Sequence, residues 1–63
     1  MSAYTVAATW KGEQVHLSEE RFGAHTLSTL NWSPVPLSRE DAERIRARAD
    51  RDETLRDVRM YAL

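Results

Sequence analysis

The sequence predicts a small α+β fold: a mostly antiparallel sheet of three or four strands with one helix packed on one face, in the order β-β-β-α-β. Three features lead to this prediction: a run of alternating apolar residues at positions 4–10, a second apolar run shortly after it, and a helix start signal at Ser38. A chain of 63 residues allows one domain, which we expect to span positions 1–63.

Residues Tyr4–Trp10 are predicted to form the first strand, because larger apolar side chains occupy the even positions and small or polar side chains occupy the odd positions. This alternation is typical of a strand that has one buried face. The next two residues are Lys11 and Gly12, and a glycine adopts positive φ without strain. A two-residue hairpin turn is therefore expected.

The apolar residues after the turn determine the register of the hairpin. If Trp10 is opposite Glu13, Ala8 is opposite Val15, and the apolar side chains of both strands share one face. A shift by one residue would bring polar side chains into the core. We therefore predict this register, with a second strand that reaches Leu17.

The other face of the hairpin carries Thr5, Ala7 and Thr9, with His16 across from Ala7. Because these residues are small or polar, we expect this odd-numbered face to be exposed in the monomer. An open sheet face or a free sheet edge can accept a second copy of the chain. A homodimer through either surface is therefore among the predicted associations.

A third strand is predicted within residues 24–32, where Leu30 and Trp32 share one face. Residues 18–23 connect it to the second strand, either as one helical turn or as a loop. The segment 33–36 contains two prolines, which fix φ and exclude a helix immediately before them. This segment is predicted to be a rigid connector.

The clearest helix start of the chain is Ser38, a residue type that is preferred at the N-cap and is followed here by an acidic first turn. The helix is predicted to run from Arg39 to about Asp50. Its inward side has three apolar residues at helical spacing, which are Ala42, Ile45 and Ala49. So narrow an apolar side suits close packing on the even-numbered face of the first strand.

The C-terminal residues allow two interpretations. Residues 57–63 alternate as a strand does, but the apolar residues from Leu55 onward also fall on one side of a helix. We favour a loop at 51–56 followed by a strand at 57–63, and the alternative order is β-β-β-α-α. The predicted core consists of Tyr4, Val6, Ala8, Val15, Leu17, Leu30, Trp32, Leu37, Ala42, Ile45, Ala49, Val58 and Met60.

Charge and composition favour a protein partner over a nucleic acid or a membrane. The net charge is −1, and residues 38–63 contain seven arginines and seven acidic residues. A nucleic-acid-binding protein usually has a basic excess that replaces condensed counterions. The sequence has no apolar run long enough for a membrane span, no signal-peptide pattern and no cysteine. We therefore expect a soluble, cytoplasmic protein.

The sequence contains no motif that is typical of catalysis or of a metal site. His16 and His25 are the only histidines, and they lack the spacing of metal ligands. Gly12 and Gly23 are isolated and do not form a phosphate-binding loop. No serine lies in a nucleophile motif. We expect no enzyme activity, no metal and no cofactor.

Arginines on the predicted helix are the main candidates for partner binding. Arg44, Arg48 and Arg51 are spaced i, i+4 and i+7, on the side opposite the apolar residues. They form either a row of donors for carboxylates or phosphates on a partner or a solvated face with ion pairs inside the helix. Trp10, beside the turn, is the candidate aromatic anchor.

The predicted function is a small protein-binding module, a regulator or inhibitor that occupies a partner's surface. The alternative is nucleic-acid binding through the same arginines.

Overall fold

The computed structural model describes residues 3–18 and 30–63. In chain order, its elements are β1 (Tyr4–Trp10), β2 (Glu13–Leu17), β3 (Leu30–Asn31), α1 (Arg39–Ala49) and β4 (Leu55–Ala62). The strands form one antiparallel sheet in the order β3-β2-β1-β4, and α1 packs against β1 and β4. The predicted α+β fold and the order β-β-β-α-β are confirmed.

The hairpin of β1 and β2 has the predicted register. Trp10 is opposite Glu13, and Ala8 is opposite Val15. Lys11 has φ of 50° and Gly12 has φ of 80°. Positive φ at both central residues is the property of a type I′ turn, whose twist matches that of the flanking strands. Glycine suits the second position, whereas lysine is an unusual residue at the first.

The helix begins and ends close to the predicted residues. Ser38 is the N-cap, and its Oγ accepts a hydrogen bond from the Asp41 backbone N–H at 3.1 Å. This bond satisfies one of the donors that the first helical turn leaves without an intrahelical partner. Asp50 is the C-cap, and its N–H donates to the carbonyl of Arg46.

The core lies between α1 and the even-numbered face of β1, as predicted. Its buried members are Val6, Ala8, Val15, Leu17, Ala42, Ile45, Ala49 and Leu55. Half-buried side chains pack around it, namely Tyr4, Trp10, Leu37, Val58 and Met60. Among the described side chains, the predicted core differs from this set in two residues: it omits Leu55, which is buried, and it includes Trp32, which is exposed.

Trp32 is 56% exposed, so its prediction as a core residue is wrong. The residue directly follows the two-residue strand β3, at a bend of the chain. Strand alternation therefore does not fix the side of the sheet on which its side chain lies, as it would in a longer strand. The remainder of the predicted third strand, the turn at 19–23, the side chain of Leu30 and His25 lie outside the described residues.

The C-terminal strand exists, and it begins at Leu55 rather than at residue 57. It contains a β-bulge, because Thr9 is opposite Arg56 while Ala7 is opposite Arg59. Asp57 and Val58 of β4 are therefore opposite a single residue of β1, Ala8. The bulge shifts the alternation by one residue. As a result Leu55, which precedes the bulge, faces the core together with the apolar residues that follow it.

The odd-numbered face of the hairpin is buried, which contradicts the prediction that it is open. Thr5 and Ala7 are 0% exposed and His16 is 2% exposed, while Thr9 is half-buried. The connector after β3 explains part of this cover, since the Val35 backbone N–H donates to Thr5 Oγ1 at 3.2 Å. A homodimer through this face as an open surface is therefore not supported.

The same connector joins the sheet beside β1. The Tyr4 N–H donates to the Leu37 carbonyl at 2.9 Å, and the Leu37 N–H donates to the Tyr4 carbonyl at 2.8 Å. These two bonds form an isolated antiparallel bridge immediately before Ser38. The bridge therefore ties the chain to β1 one residue before the N-cap of α1.

Candidate partner-binding surface

The three arginines that the sequence predicts for partner binding line one open groove. Arg44, Arg48 and Arg51 share it with Ala47, and the loop of residues 52–54 forms its other border. The groove has a volume of about 800 Å³. The structure therefore brings the predicted residues together, and it adds a loop that the sequence analysis did not single out.

Helix α1 determines the direction of these side chains. Because Ala42, Ile45 and Ala49 are buried against the sheet, positions 44 and 48 point outward. Arg51 lies just beyond the helix, in a turn where its N–H donates to the Arg48 carbonyl at 3.2 Å. Seven residues at helical rise span about 10 Å. The three guanidinium groups thus form a row rather than a single cluster.

The loop border of the groove is held by its own hydrogen bonds. Asp52 Oδ1 accepts from the Thr54 N–H at 2.9 Å and from Thr54 Oγ1 at 2.6 Å. The Asp52 N–H donates to the Ala49 carbonyl at 3.0 Å, which ties the loop to the end of α1. An aspartate two residues before a threonine is a sequence signal for such a turn. The groove border is therefore positioned without help from a ligand.

The charge of the groove is mixed. Three arginines line it together with two acidic residues, Asp52 and Glu53. Arg44 Nη2 also lies 2.8 Å from Asp41 Oδ1, and both side chains of this pair are solvent-exposed. Exposed ion pairs contribute about 0–1 kcal/mol. The Arg44–Asp41 pair therefore adds little to the stability of the helix.

Trp10 lies near the loop end of the groove, and its side chain is half-buried against the core. Its partner across the sheet is Leu55, which directly follows the groove residue Thr54. Lys11 Nζ lies 4.7 Å from the centroid of the Trp10 ring, within the range of a cation–π contact. The hairpin turn and the groove loop are thus at the same end of the molecule. The sequence gives no indication of this proximity, because it depends on the pairing of β1 with β4.

A second polar cluster lies on the opposite side of the sheet. Thr5 Oγ1 is 3.5 Å from His16 Nδ1, and the same oxygen accepts the Val35 N–H. Burial of the imidazole, together with the positive charge of Arg59, lowers the pKa of His16 below its usual value. A hydroxyl beside a neutral imidazole resembles a nucleophile and its base. Here the hydroxyl is fully buried, so this pair joins neighbouring strands rather than facing a substrate.

Within residues 3–18 and 30–63, no three histidine, cysteine or acidic side chains come together as metal ligands would. In the same part of the chain, no helix is long and apolar enough to cross a membrane. Comparison of the chain with protein-family models, curated proteins and solved structures finds no significant match.

Proposed function

We propose that this chain is a non-catalytic protein-binding module, a regulator or inhibitor that occupies an acidic segment of a partner protein. The binding site in this proposal is the arginine groove, defined as Arg44, Ala47, Arg48, Arg51 and the loop of residues 52–54. The observation that supports it is that three outward arginines and a hydrogen-bonded loop line one groove.

The chemistry of the groove favours carboxylates on the partner. Guanidinium groups present planar, paired donors that match carboxylate geometry. The small side chain of Ala47, between the arginines, allows the partner's backbone to approach. The exposed carboxylate of Glu53 suits a donor, such as lysine or a backbone N–H, at the loop end. The proposed partner segment is therefore acidic along the helix and carries a donor at one end.

Nucleic-acid binding is the second candidate, and the row of guanidinium groups is the observation in its favour. Two carboxylates in the same groove and the net charge of −1 count against it, because both repel a phosphate backbone. The salt dependence of binding separates the candidates. A protein that neutralises several phosphates loses affinity steeply as salt rises, with a slope of about −0.9 per phosphate contact on duplex DNA.

We further propose the cytoplasm as the site of action, since the chain has no cysteine that would form disulfides in an oxidising compartment.

The experiment is an affinity capture from the native cell with two matched double variants. R44A/R48A removes two groove arginines, whereas R39A/R46A removes two others from the same helix. Each variant removes an arginine that is paired with a helix carboxylate, since Arg44 contacts Asp41 and Arg39 contacts Glu43. The variants thus change net charge and helix composition equally.

The proposal expects that R44A/R48A weakens capture of the specific partner by about tenfold or more, which corresponds to ~1.4 kcal/mol. R39A/R46A should retain the partner. Equal loss with both variants would indicate a general charge effect and would contradict the groove as the binding site.

A further inference from the structure

Strand β4 contains one residue more than its pairing with β1 requires. From Leu55 to Ala62 it has eight residues, and the seven residues Tyr4–Trp10 lie opposite them. The extra residue is in the bulge, where Asp57 has φ of 52°. Positive φ in the first bulge residue is usually supplied by glycine. Asp57 is thus a non-glycine residue in the left-handed region, inserted into a strand.

Without Asp57 the sequence of β4 would alternate without a break. Its remaining residues would read Leu-Arg-Val-Arg-Met-Tyr-Ala, with the apolar residues on the helix face and Arg56, Arg59 and Tyr61 on the other. The side chain of each of these residues would stay on the side of the sheet where it lies now. The insertion is therefore not needed to position the core residues of β4.

The location of the bulge matters because β4 is an edge strand of the sheet. The Leu63 N–H donates to the Ala3 carbonyl on the β1 side at 2.8 Å. Since hydrogen-bonding direction alternates along an antiparallel strand, Ala62 and Met60 direct their backbone groups away from β1. In a strand without the extra residue, the backbone groups of Val58 and Leu55 would also point away from β1. We call this set of outward backbone groups the outer row.

The bulge interrupts the outer row after two residues. Asp57 is in the left-handed conformation, and its carbonyl accepts a hydrogen bond from Arg59 Nη1 at 3.0 Å. That acceptor is thereby occupied by a side chain of the same strand. Bulges and charged residues on edge strands prevent pairing between sheets.

We propose that Asp57 is an insertion that prevents β4 from pairing with the β4 of a second copy of this chain. A second copy is the relevant partner, because an unbroken outer edge of β4 would pair antiparallel with its own two-fold mate over its whole length. The apolar residues that such pairing would help to cover are next to this edge, with Tyr61 39% exposed and Leu63 56% exposed. The sheet-edge homodimer that the sequence predicts is the association that Asp57 opposes. This inference is independent of the arginine groove.

The test compares the self-association of the full chain with that of a variant lacking Asp57, by sedimentation velocity over a concentration series. The deletion should raise the association constant at least about tenfold relative to the wild type. Asp57→Asn is the matched control, because asparagine also tolerates positive φ but carries no charge. It should sediment as the wild type does.

A further variant identifies the interface. The Ala62 N–H points to the outer edge, so A62P in the deletion background removes an outer donor without breaking the β1 ladder. It should restore the wild-type sedimentation.

If the deletion prevents folding, as circular dichroism would show, Asp57→Val is tested in its place, because a β-branched residue disfavours positive φ. It should associate more strongly than Asp57→Asn.

Three results would overturn the proposal. The folded deletion variant, or Asp57→Val in its place, could remain as monomeric as the wild type. Asp57→Asn could associate as strongly as the deletion, which would assign the effect to charge. The A62P variant could leave the association unchanged, which would locate the interface elsewhere.

Discussion

Thr5 Oγ1 and His16 Nδ1 lie 3.5 Å apart on a face of the sheet that is buried rather than open. His16 is opposite Ala7, so Thr5 is its diagonal neighbour on β1. The Thr5 hydroxyl accepts the Val35 N–H and can direct its own proton at the imidazole. The pair therefore links β1, β2 and the connector, and it favours a neutral His16.

The stability of the protein should decrease in acid because of His16. Burial and Arg59 lower the pKa of the folded imidazole, so the unfolded chain binds this proton at a higher pH than the folded chain does. The free energy of unfolding should therefore fall as pH drops through about 6.5 and continue to fall down to the folded pKa. Urea denaturation at several values between about pH 8 and about pH 5 measures this slope. His16→Gln should have a smaller slope than the wild type, and identical slopes would contradict the assignment.

The Thr5 hydroxyl should stabilise the fold through its bond to the connector. Thr5→Val keeps the shape of the side chain but leaves the part-buried Val35 N–H without its acceptor. We expect the free energy of unfolding to fall by about 1–3 kcal/mol. Thr9→Val is the matched control, since Thr9 lies on the same face of β1 and is only half-buried. It should change stability by about 0.5 kcal/mol or less. Equal effects of both substitutions would exclude a specific role for the Thr5 hydroxyl.

Ile45 should be the most sensitive core position on the helix. It is 1% exposed and lies between two alanines on the buried side of α1, so no other helical side chain of its size packs on the sheet. Ile45→Ala should cost about 2–5 kcal/mol, which is comparable to the whole stability of a domain of this size at ~0.1 kcal/mol per residue. Ile45→Val should cost about 0.5–1.5 kcal/mol and remain folded. Thermal unfolding followed by circular dichroism distinguishes these outcomes, and an Ile45→Ala variant that unfolds at the temperature of the wild type would contradict the packing described.

Local sequence patterns could predict most of the fold. The alternation of Tyr4–Trp10, the apolar residues after Gly12 and the cap at Ser38 each depend on neighbours within a few positions, and each prediction is confirmed. The bulge could not be predicted in the same way. A shift in the alternation between Leu55 and Val58 has the same appearance as a strand that starts later.

The cover of the odd-numbered face depends on distant residues. Thr5 and Ala7 are small enough to be compatible with either a solvent-exposed or a buried face. Whether the face is exposed or buried depends on the path of the connector. The bond from Val35 to Thr5 joins residues 30 positions apart, which no local pattern encodes. For the same reason the spacing of the arginines predicts a row on the helix, whereas the groove requires the loop that Asp52 and Thr54 hold in place.

The arginine groove is tested most directly by mapping the captured partner on the protein with isotope-labelled NMR. Bound partner should shift the resonances of Arg44, Ala47, Arg48, Arg51 and residues 52–54 most strongly, together with the indole N–H of Trp10. Partners that dock as rigid bodies perturb chiefly the surface that they cover. Shifts concentrated instead on the outer edge of β4 or on β2 and β3, with the groove unchanged, would contradict the proposed mode of binding.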